Sequence, residues 1–580
     1  RKPAALDDVL LRLARSARAA GDARRASDAY ARVYAEFPLG DPAAAARAEL
    51  EKMAEWPPVA PRTPRNRLEL DRAERLYTAQ RVAEARAAFE ALRPQAIGDD
   101  AELISLRIAE CDYAARRYVA ARDRLRPLIA GASRLAEARF YYLSAIRGLS
   151  DHVDYERLTR ELVSDFPDSG WAEEALNALA SHFVVIEEDE RADATFREIL
   201  AKYPNGRHAE RAAWKAGWWA YKHGRYDDAA REFEAAASAF PRSDYRPAFL
   251  YWIARAHERL GSRAAADAAH RSVVAAYGTS YYGRMSARRL GTRAPQPAAE
   301  LPGAILAAAA RMPPTQELIS VLLSLDLYDL ALDELLFAQR TWGDSPVVDA
   351  TLGWVHNRQG DLRKGVVAVK RAYPQYLAAG GDRLPVEMQR VIFPLDYWPL
   401  IQKYAAARNL DPYLMAALIA QESTFDAVIR SRANAIGLMQ ILPSTGRRYA
   451  RQLGMRRFSA AMLTRPEMNI RIGMAYFADL VRRFGRVDFA LAGYNAGENR
   501  IAQWRAERPG LEPDEFIDDV PFPETQNYLR KILGTAEDYR RLYRPASQPA
   551  PGGRTTGTSS SAKTRAAAKP AKPVKRRPHP

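Results

Sequence analysis

The sequence predicts an all-α protein, and three observations carry that prediction. An aromatic residue recurs at a fixed interval: Phe166, Tyr203, Phe240 and Tyr277 stand 37 residues apart. The stretches between these marks are patterned as paired helices separated by a glycine, as at Gly224 and Gly261. The segment from Asp411 to Ser423 reads as a capped apolar helix that carries a carboxyl group, Glu422, near its end. At 580 residues the chain is too long for one core, so three or four domains are expected.

The N-terminal half is read as a repeat. Positions other than the aromatic mark keep step with it: Phe196 with Phe233, and Ala229 with Ala266. Arg225 to Phe233 has helical patterning, and a Pro follows the aromatic at Phe166, Tyr203 and Phe240. Phe37-Pro38 marks a similar unit, and Asn66 to Leu128 has the same texture. A unit of helix, glycine turn, helix and Pro-marked loop resembles the tetratricopeptide type, whose stacked pairs form a curved superhelix. Such arrays commonly bind proteins or peptides, which leaves a binding scaffold open as a reading of this half. Trp214, Trp218 and Trp219 are expected to be packing residues of the repeat rather than sugar-stacking platforms.

Composition narrows the function. Apolar residues make up 48% of the chain, as in a soluble globular protein. Leu414 to Ala420, one of the longer apolar runs, is far too short to span a membrane. The chain starts at Arg1 rather than Met, which fits a mature or trimmed form. The single Cys111 excludes an intramolecular disulfide, and its helical surroundings suit a small core residue better than a nucleophile. No cofactor and no metal site is expected. Half of the net charge of +16 lies in residues 546–580, which hold eight Lys or Arg and no Asp or Glu. That tail cannot bury a core and is expected to be disordered. It suits solubilisation or loose attraction to anionic polymers, and it lacks the aromatic interleaving of a specific nucleic-acid reader.

The chemistry concentrates near the C-terminus. Asp411 can cap a helix and Pro412 fits its first position, and Leu414, Met415, Leu418 and Ile419 then form one apolar stripe. Glu422 projects into that stripe, where ionisation is costly and a protonated carboxyl is favoured. Such a carboxyl suits an acid catalyst. Four further blocks follow in order: Ser431 with Gly437-Leu438-Met439-Gln440, Asn469-Ile470 with Gly473, Gly493-Tyr494-Asn495-Ala496-Gly497, and Glu524-Thr525 with Tyr528.

Together these blocks resemble the catalytic domain of the soluble lytic transglycosylases, over residues 393 to 543. Two positions depart from the family pattern: Gly493 replaces the usual Ala, and Leu442 stands where Met is common. The resemblance implies a lysozyme-like α fold acting on bacterial peptidoglycan. It implies four segments: a superhelical repeat domain over 1–293, closed by Tyr281 to Leu290; a helical linker domain over 294–390; the catalytic domain over 391–545; and the tail over 546–580. It implies that Glu422 protonates the bond between N-acetylmuramic acid and N-acetylglucosamine. Glu422 then takes a proton from the C6 hydroxyl of the same muramic sugar, leaving a 1,6-anhydro end. No second carboxylate is expected, because Asp426 suits a turn. By the same resemblance Ser431, Met439, Gln440, Tyr494, Asn495 and Glu524 bind substrate. Met439 offers an apolar contact to a sugar face, and the Tyr494 hydroxyl orients Glu422 or the acetamido group. The resemblance further implies export to the periplasm, glycan strands as substrate, and wall-synthesis or division proteins as partners of the superhelix.

Overall fold

The computed structural model describes residues 6–291, 313–343, 345–374, 376, 384–431 and 433–544. These residues fold almost entirely as α-helices, and the β-structure among them is limited to two isolated bridges, Arg430 to Ile436 and Ile436 to Ile441. The expected disordered tail and the first part of the expected linker lie outside the described residues.

The 37-residue period has a physical cause. Phe166, Tyr203 and Phe240 are each the C-cap of the second helix of a pair, and their N–H groups donate back into the last turn. Phe37 caps the helix Ala23–Glu36 in the same way. Phe196 and Phe233, with Ala229 and Ala266, are buried contacts between helices. A left-handed residue reverses the chain between the paired helices, and this position also repeats: Ser150, Glu187, Gly224 and Gly261 have φ of 65, 64, 72 and 73°. Glycine adopts that conformation freely; Ser150 and Glu187 hold it at a cost of about 1 kcal/mol each. The tryptophans pack as expected. Trp214 and Trp218 are buried and stacked, with ring centroids 5.9 Å apart, and Trp219 lies under Arg225.

Cys111 is fully buried in the helix Asp99–Ala114, and burial pushes its thiol up to about 12, which keeps it inert. After residue 313 come the helices Gln316–Ser324, Tyr328–Trp342, Pro346–Arg358 and Leu362–Ala372. Ala350 and Val369 from the last two, with Tyr373 just beyond them, share one apolar core with Ile401, Met415 and Leu529.

That core surrounds the helix Pro412–Ser423. The expectation of a one-sided apolar stripe is corrected here. Every residue from Tyr413 to Ile419 is buried, so this is a central helix wrapped on all sides. Asp411 caps it by accepting from the Tyr413 N–H at 2.9 Å. The long helix Pro523–Tyr543 packs along it. On another side this long helix meets Tyr281–Arg289, the last described helix of the repeat array. A short acidic helix, Pro513–Asp519, lies just upstream and inserts among aromatic and arginine side chains of the repeats.

Candidate active site

Glu422 sits in the last turn of Pro412–Ser423, at the point where the buried helix reaches the surface. The chain then turns sharply. Thr424 and Phe425 are both left-handed, with φ of 52 and 62°. Asp426 stabilises this turn by accepting from the N–H groups of Val428 (2.9 Å) and Ile429 (3.1 Å), which is the turn role expected of it. Ser423 anchors the end of the helix by donating to the carbonyl oxygens of Ile419 and Leu438.

The carboxyl group of Glu422 is pushed up to about 7, because burial disfavours its charge while the Tyr528 hydroxyl partly stabilises it. Tyr528 donates to Oε1 at 2.5 Å. The family resemblance implies that Tyr494 orients either Glu422 or the acetamido group. In the structure the Tyr494 hydroxyl donates to the Met439 carbonyl oxygen at 2.6 Å, and its ring lies on Tyr476 with centroids 5.0 Å apart. Both phenols are nevertheless near enough to feel the charge of Glu422, and burial together with that charge drives each well above the usual tyrosine range.

The Gly437–Gln440 loop is held by Asn469, which is fully buried. Its side chain accepts from the Met439 N–H and donates to the carbonyl oxygens of Ile436 and Leu463, all at 2.8 Å. Gly437 has φ of +75°, and a Cβ there would stand 2.4 Å from the Leu463 carbonyl oxygen, so its smallness is a packing requirement. Met439 is a second correction. It is fully buried, and its side chain covers Gly473, where a Cβ would meet its sulfur at 2.4 Å. The thioether therefore fills the core beneath the loop instead of facing a sugar.

Gln440 takes a left-handed φ of 46°, and its amide nitrogen donates to the carbonyls of Gly437 (2.9 Å) and Ile429 (3.3 Å), which leaves the carboxamide oxygen for a ligand. Ser431 is exposed, and its Oγ accepts from the Ala435 N–H at 3.0 Å, so the hydroxyl proton is available to donate. Asn495 accepts from Thr525 Oγ1 at 2.7 Å through its carbonyl oxygen, which leaves its NH2 group to donate. Glu524 is exposed in the first turn of Pro523–Tyr543. Beside Tyr476 and Ala496 opens a cavity of about 610 Å³, lined also by Ser444, Thr445 and Asn499. A second cavity of about 550 Å³ lies between the repeats and residues 507–521 and is crossed by the ion pairs of Lys222 with Asp519 and Arg259 with Glu515; Glu422 lines neither of the two cavities.

Two further residues of the site, Tyr528 and Asn469, lie within the ordered motifs of the sequence. Tyr528 follows Thr525 by three residues on one helix, so the two share a face toward the site, and that spacing was the available signal. Asn469 opens its block, but nothing in the sequence shows which backbone groups it satisfies. Among the described residues no group of three or more His, Cys, Asp or Glu could hold a metal ion, and no helix is long and apolar enough to cross a membrane.

The fold and site define an all-α protein in which a helical-repeat superhelix carries a lysozyme-like domain built around one elevated carboxyl group. Residues 399–517 match the family model for the transglycosylase SLT domain, and residues 8–39 match one for a tetratricopeptide repeat. The chain is 32% identical over 160 residues to the endo-type membrane-bound lytic murein transglycosylase A of Klebsiella pneumoniae, covering 24% of this chain and 79% of that protein. It is also 32% identical over 152 residues to the soluble lytic murein transglycosylase of Escherichia coli K12, covering 26% of this chain and 23% of that protein. The chain thus spans about a quarter of the length of that relative. Two solved structures share its fold over most of its length. One is the 70-kDa soluble lytic transglycosylase in complex with bulgecin A (TM-score 0.62, 17% identity, 94% of this chain and 82% of that one). The other is an inactive variant of the lytic transglycosylase Slt from Pseudomonas aeruginosa (TM-score 0.57, 19% identity, 87% and 85%). The chain belongs to the lytic murein transglycosylase family.

Proposed function

We propose that this protein cleaves the β-1,4 bond between N-acetylmuramic acid and N-acetylglucosamine in peptidoglycan and leaves a 1,6-anhydromuramic end. The observation that carries the reading is Glu422: a partly exposed carboxyl group at the end of a buried helix, pushed up to about 7, with a phenol as its hydrogen-bond partner. Near neutral pH such a group exists in both forms, as a residue that gives and then retrieves a proton must.

In the first step Glu422 donates its proton to the glycosidic oxygen as the bond from that oxygen to C1 of the muramic sugar breaks. The 2-acetamido oxygen of that sugar stabilises C1. In the second step the Glu422 carboxylate accepts the proton of the C6 hydroxyl, and the C6 oxygen bonds to C1. The proton balance closes on Glu422 and no water is consumed. The tethered hydroxyl outcompetes water through its high effective concentration. A single-carboxyl mechanism is supported by the surroundings of Glu422, whose acidity is governed by burial and Tyr528, while Asp426 is occupied by its turn. Tyr528 holds Oε1, which leaves Oε2 to face the glycosidic oxygen. Ser431, Gln440 and Asn495 offer complementary donors and acceptors to hydroxyl and acetamido groups. Tyr494 shapes the cleft by holding the Met439 carbonyl, and Glu524 contacts sugars farther along.

The same reading places the protein in the periplasm, with the superhelix guiding glycan strands or docking wall-synthesis or division proteins. Mass spectrometry of purified peptidoglycan after digestion tests the reaction. Anhydro ends, lighter by one water than hydrolytic ends, are expected; reducing muramic ends in their place would refute it.

A further inference from the structure

The acidic helix Pro513–Asp519 ends at a carboxylate that faces both halves of the molecule. Asp518 is fully buried. From the repeat array it accepts the Trp252 indole N–H at 2.6 Å and the Tyr282 hydroxyl at 2.9 Å. These partners lie 266 and 236 residues away in sequence. From the other side Arg530 donates to Asp518 through Nε at 2.9 Å and Nη2 at 2.5 Å. The backbone joins the arrangement too, since Gln526 donates its amide to the carbonyl oxygens of Asp518 and Val520, each at 2.7 Å. Farther along the same long helix, Arg284 of the repeat array holds the Gly534 carbonyl and the Asp538 carboxylate.

Arg530 and Gln526 flank Tyr528 at two residues' distance on Pro523–Tyr543. At about 100° per residue each lies about 200° around the helix from Tyr528. The phenol therefore faces Glu422 on one side of the helix while its two neighbours face the acidic helix on the other. A buried ion pair of this kind contributes little net stability once desolvation is counted, but its geometry is demanding. A displacement of about 1 Å at a reacting group is costly to catalysis. Such a shift of the long helix would act on the hydrogen bond from Tyr528 to Glu422.

We propose that Asp518 is a positioning residue for the reaction: by joining Trp252 and Tyr282 to Arg530, it lets the superhelix set the orientation of the Tyr528 phenol that holds Glu422. The superhelix is on this account part of the catalytic machinery as well as a guide for substrate. The proposal rests on the assignment of Glu422 as the acid. The titratable groups that face Glu422 are Tyr528 and Tyr494, and those that face Asp518 are Arg530, Tyr282 and Tyr281.

The test uses the full chain on purified peptidoglycan. Trp252→Phe with Tyr282→Phe removes both repeat-side donors without a change of charge, and Asp518→Asn is the more severe variant. Turnover is measured against pH, with thermal stability in parallel. A loosened phenol stabilises the Glu422 carboxylate less, so the basic limb of the profile moves to higher pH, in the direction produced by Tyr528→Phe. Turnover of the double variant is expected to fall about fivefold to tenfold, and on a Tyr528→Phe background the same pair is expected to change it less than twofold. A basic limb that stays in place while stability falls would show a merely structural contact and overturn the proposal. Full additivity with Tyr528→Phe would overturn it as well. If Tyr528→Phe itself leaves the limb unmoved, the phenol does not set the acidity of Glu422 and the proposal falls, whereas the assignment of Glu422 as the acid falls only if Glu422→Gln retains wild-type turnover.

Discussion

Glu110 and Glu422 are carboxyl groups in two different regions, and burial pushes each up to about 7. Glu110 lies within the repeat array, 1% exposed, with Arg107 donating to both of its oxygens and Glu137 sharing the same guanidinium. Glu422 has a phenol in place of a guanidinium and remains partly exposed. The same displacement from the ordinary value therefore arises in two ways. In the repeats, desolvation outweighs a cation that is present; at the helix end, no cation opposes it. An elevated acid identifies a candidate site only when a substrate can reach it, and access separates these two.

The largest expected effect follows from that contrast. Glu422→Gln is expected to lower release of anhydro ends by about a thousandfold, within the usual range for loss of a general acid and base, while glycan binding persists. Wild-type turnover in this variant would remove Glu422 from the mechanism.

Stability supplies the next measurement. The unfolded chain releases the Glu422 proton near pH 4.5, while the folded protein keeps it until about pH 7. Ionisation therefore weakens the fold as pH rises between those values. Glu422→Gln should be neutral below about pH 4 and stabilising by up to about 3 kcal/mol above pH 8. Chemical denaturation at the two pH values checks this, and an equal effect at both would contradict the buried-acid account.

Tyr528→Phe comes third. Loss of a hydrogen bond to a charged group is expected to reduce turnover about tenfold, and the basic limb moves upward because the carboxylate loses its donor. A downward shift would mean that Tyr528 stabilises the neutral acid instead. The smallest expected effect is that of Glu110→Gln, which should leave turnover within about twofold of wild type despite the matching acidity, since sites with no shared partners couple by about 0.5 kcal/mol or less. A large loss of turnover would break the distinction between the two carboxyl groups.

Much of the fold was legible because its rules are local. Helix caps, the left-handed turn and the aromatic C-cap each depend on a few neighbouring residues, so the 37-residue period could be read directly. The packing role of Trp214 and Trp218 was legible for the same reason. The one-sided stripe expected at Leu414 to Ile419 was not the observed pattern: Ala416 and Ala417 are as buried as the leucines, and alanine does not announce which side of a helix is covered. Met439 was misplaced because a thioether suits a core as well as a sugar face, and only the approach of Gly473 decides between them. Tyr494 and Tyr528 are interchangeable in chemistry, and which phenol reaches Glu422 depends on helix placement.

By itself the sequence determined the all-α class, the repeat, the lysozyme-like family resemblance and the choice of Glu422. These rest on periodicity, capping chemistry and ordered motifs, which are written along the chain. Tertiary structure alone decided that Tyr528 is the partner of Glu422 and that Asp518 joins the repeats to the helix carrying it. Those contacts link residues 106 and 236 or more positions apart. A hydrogen bond fixes position to within a fraction of an ångström, whereas a linear pattern records only which groups are able to form one.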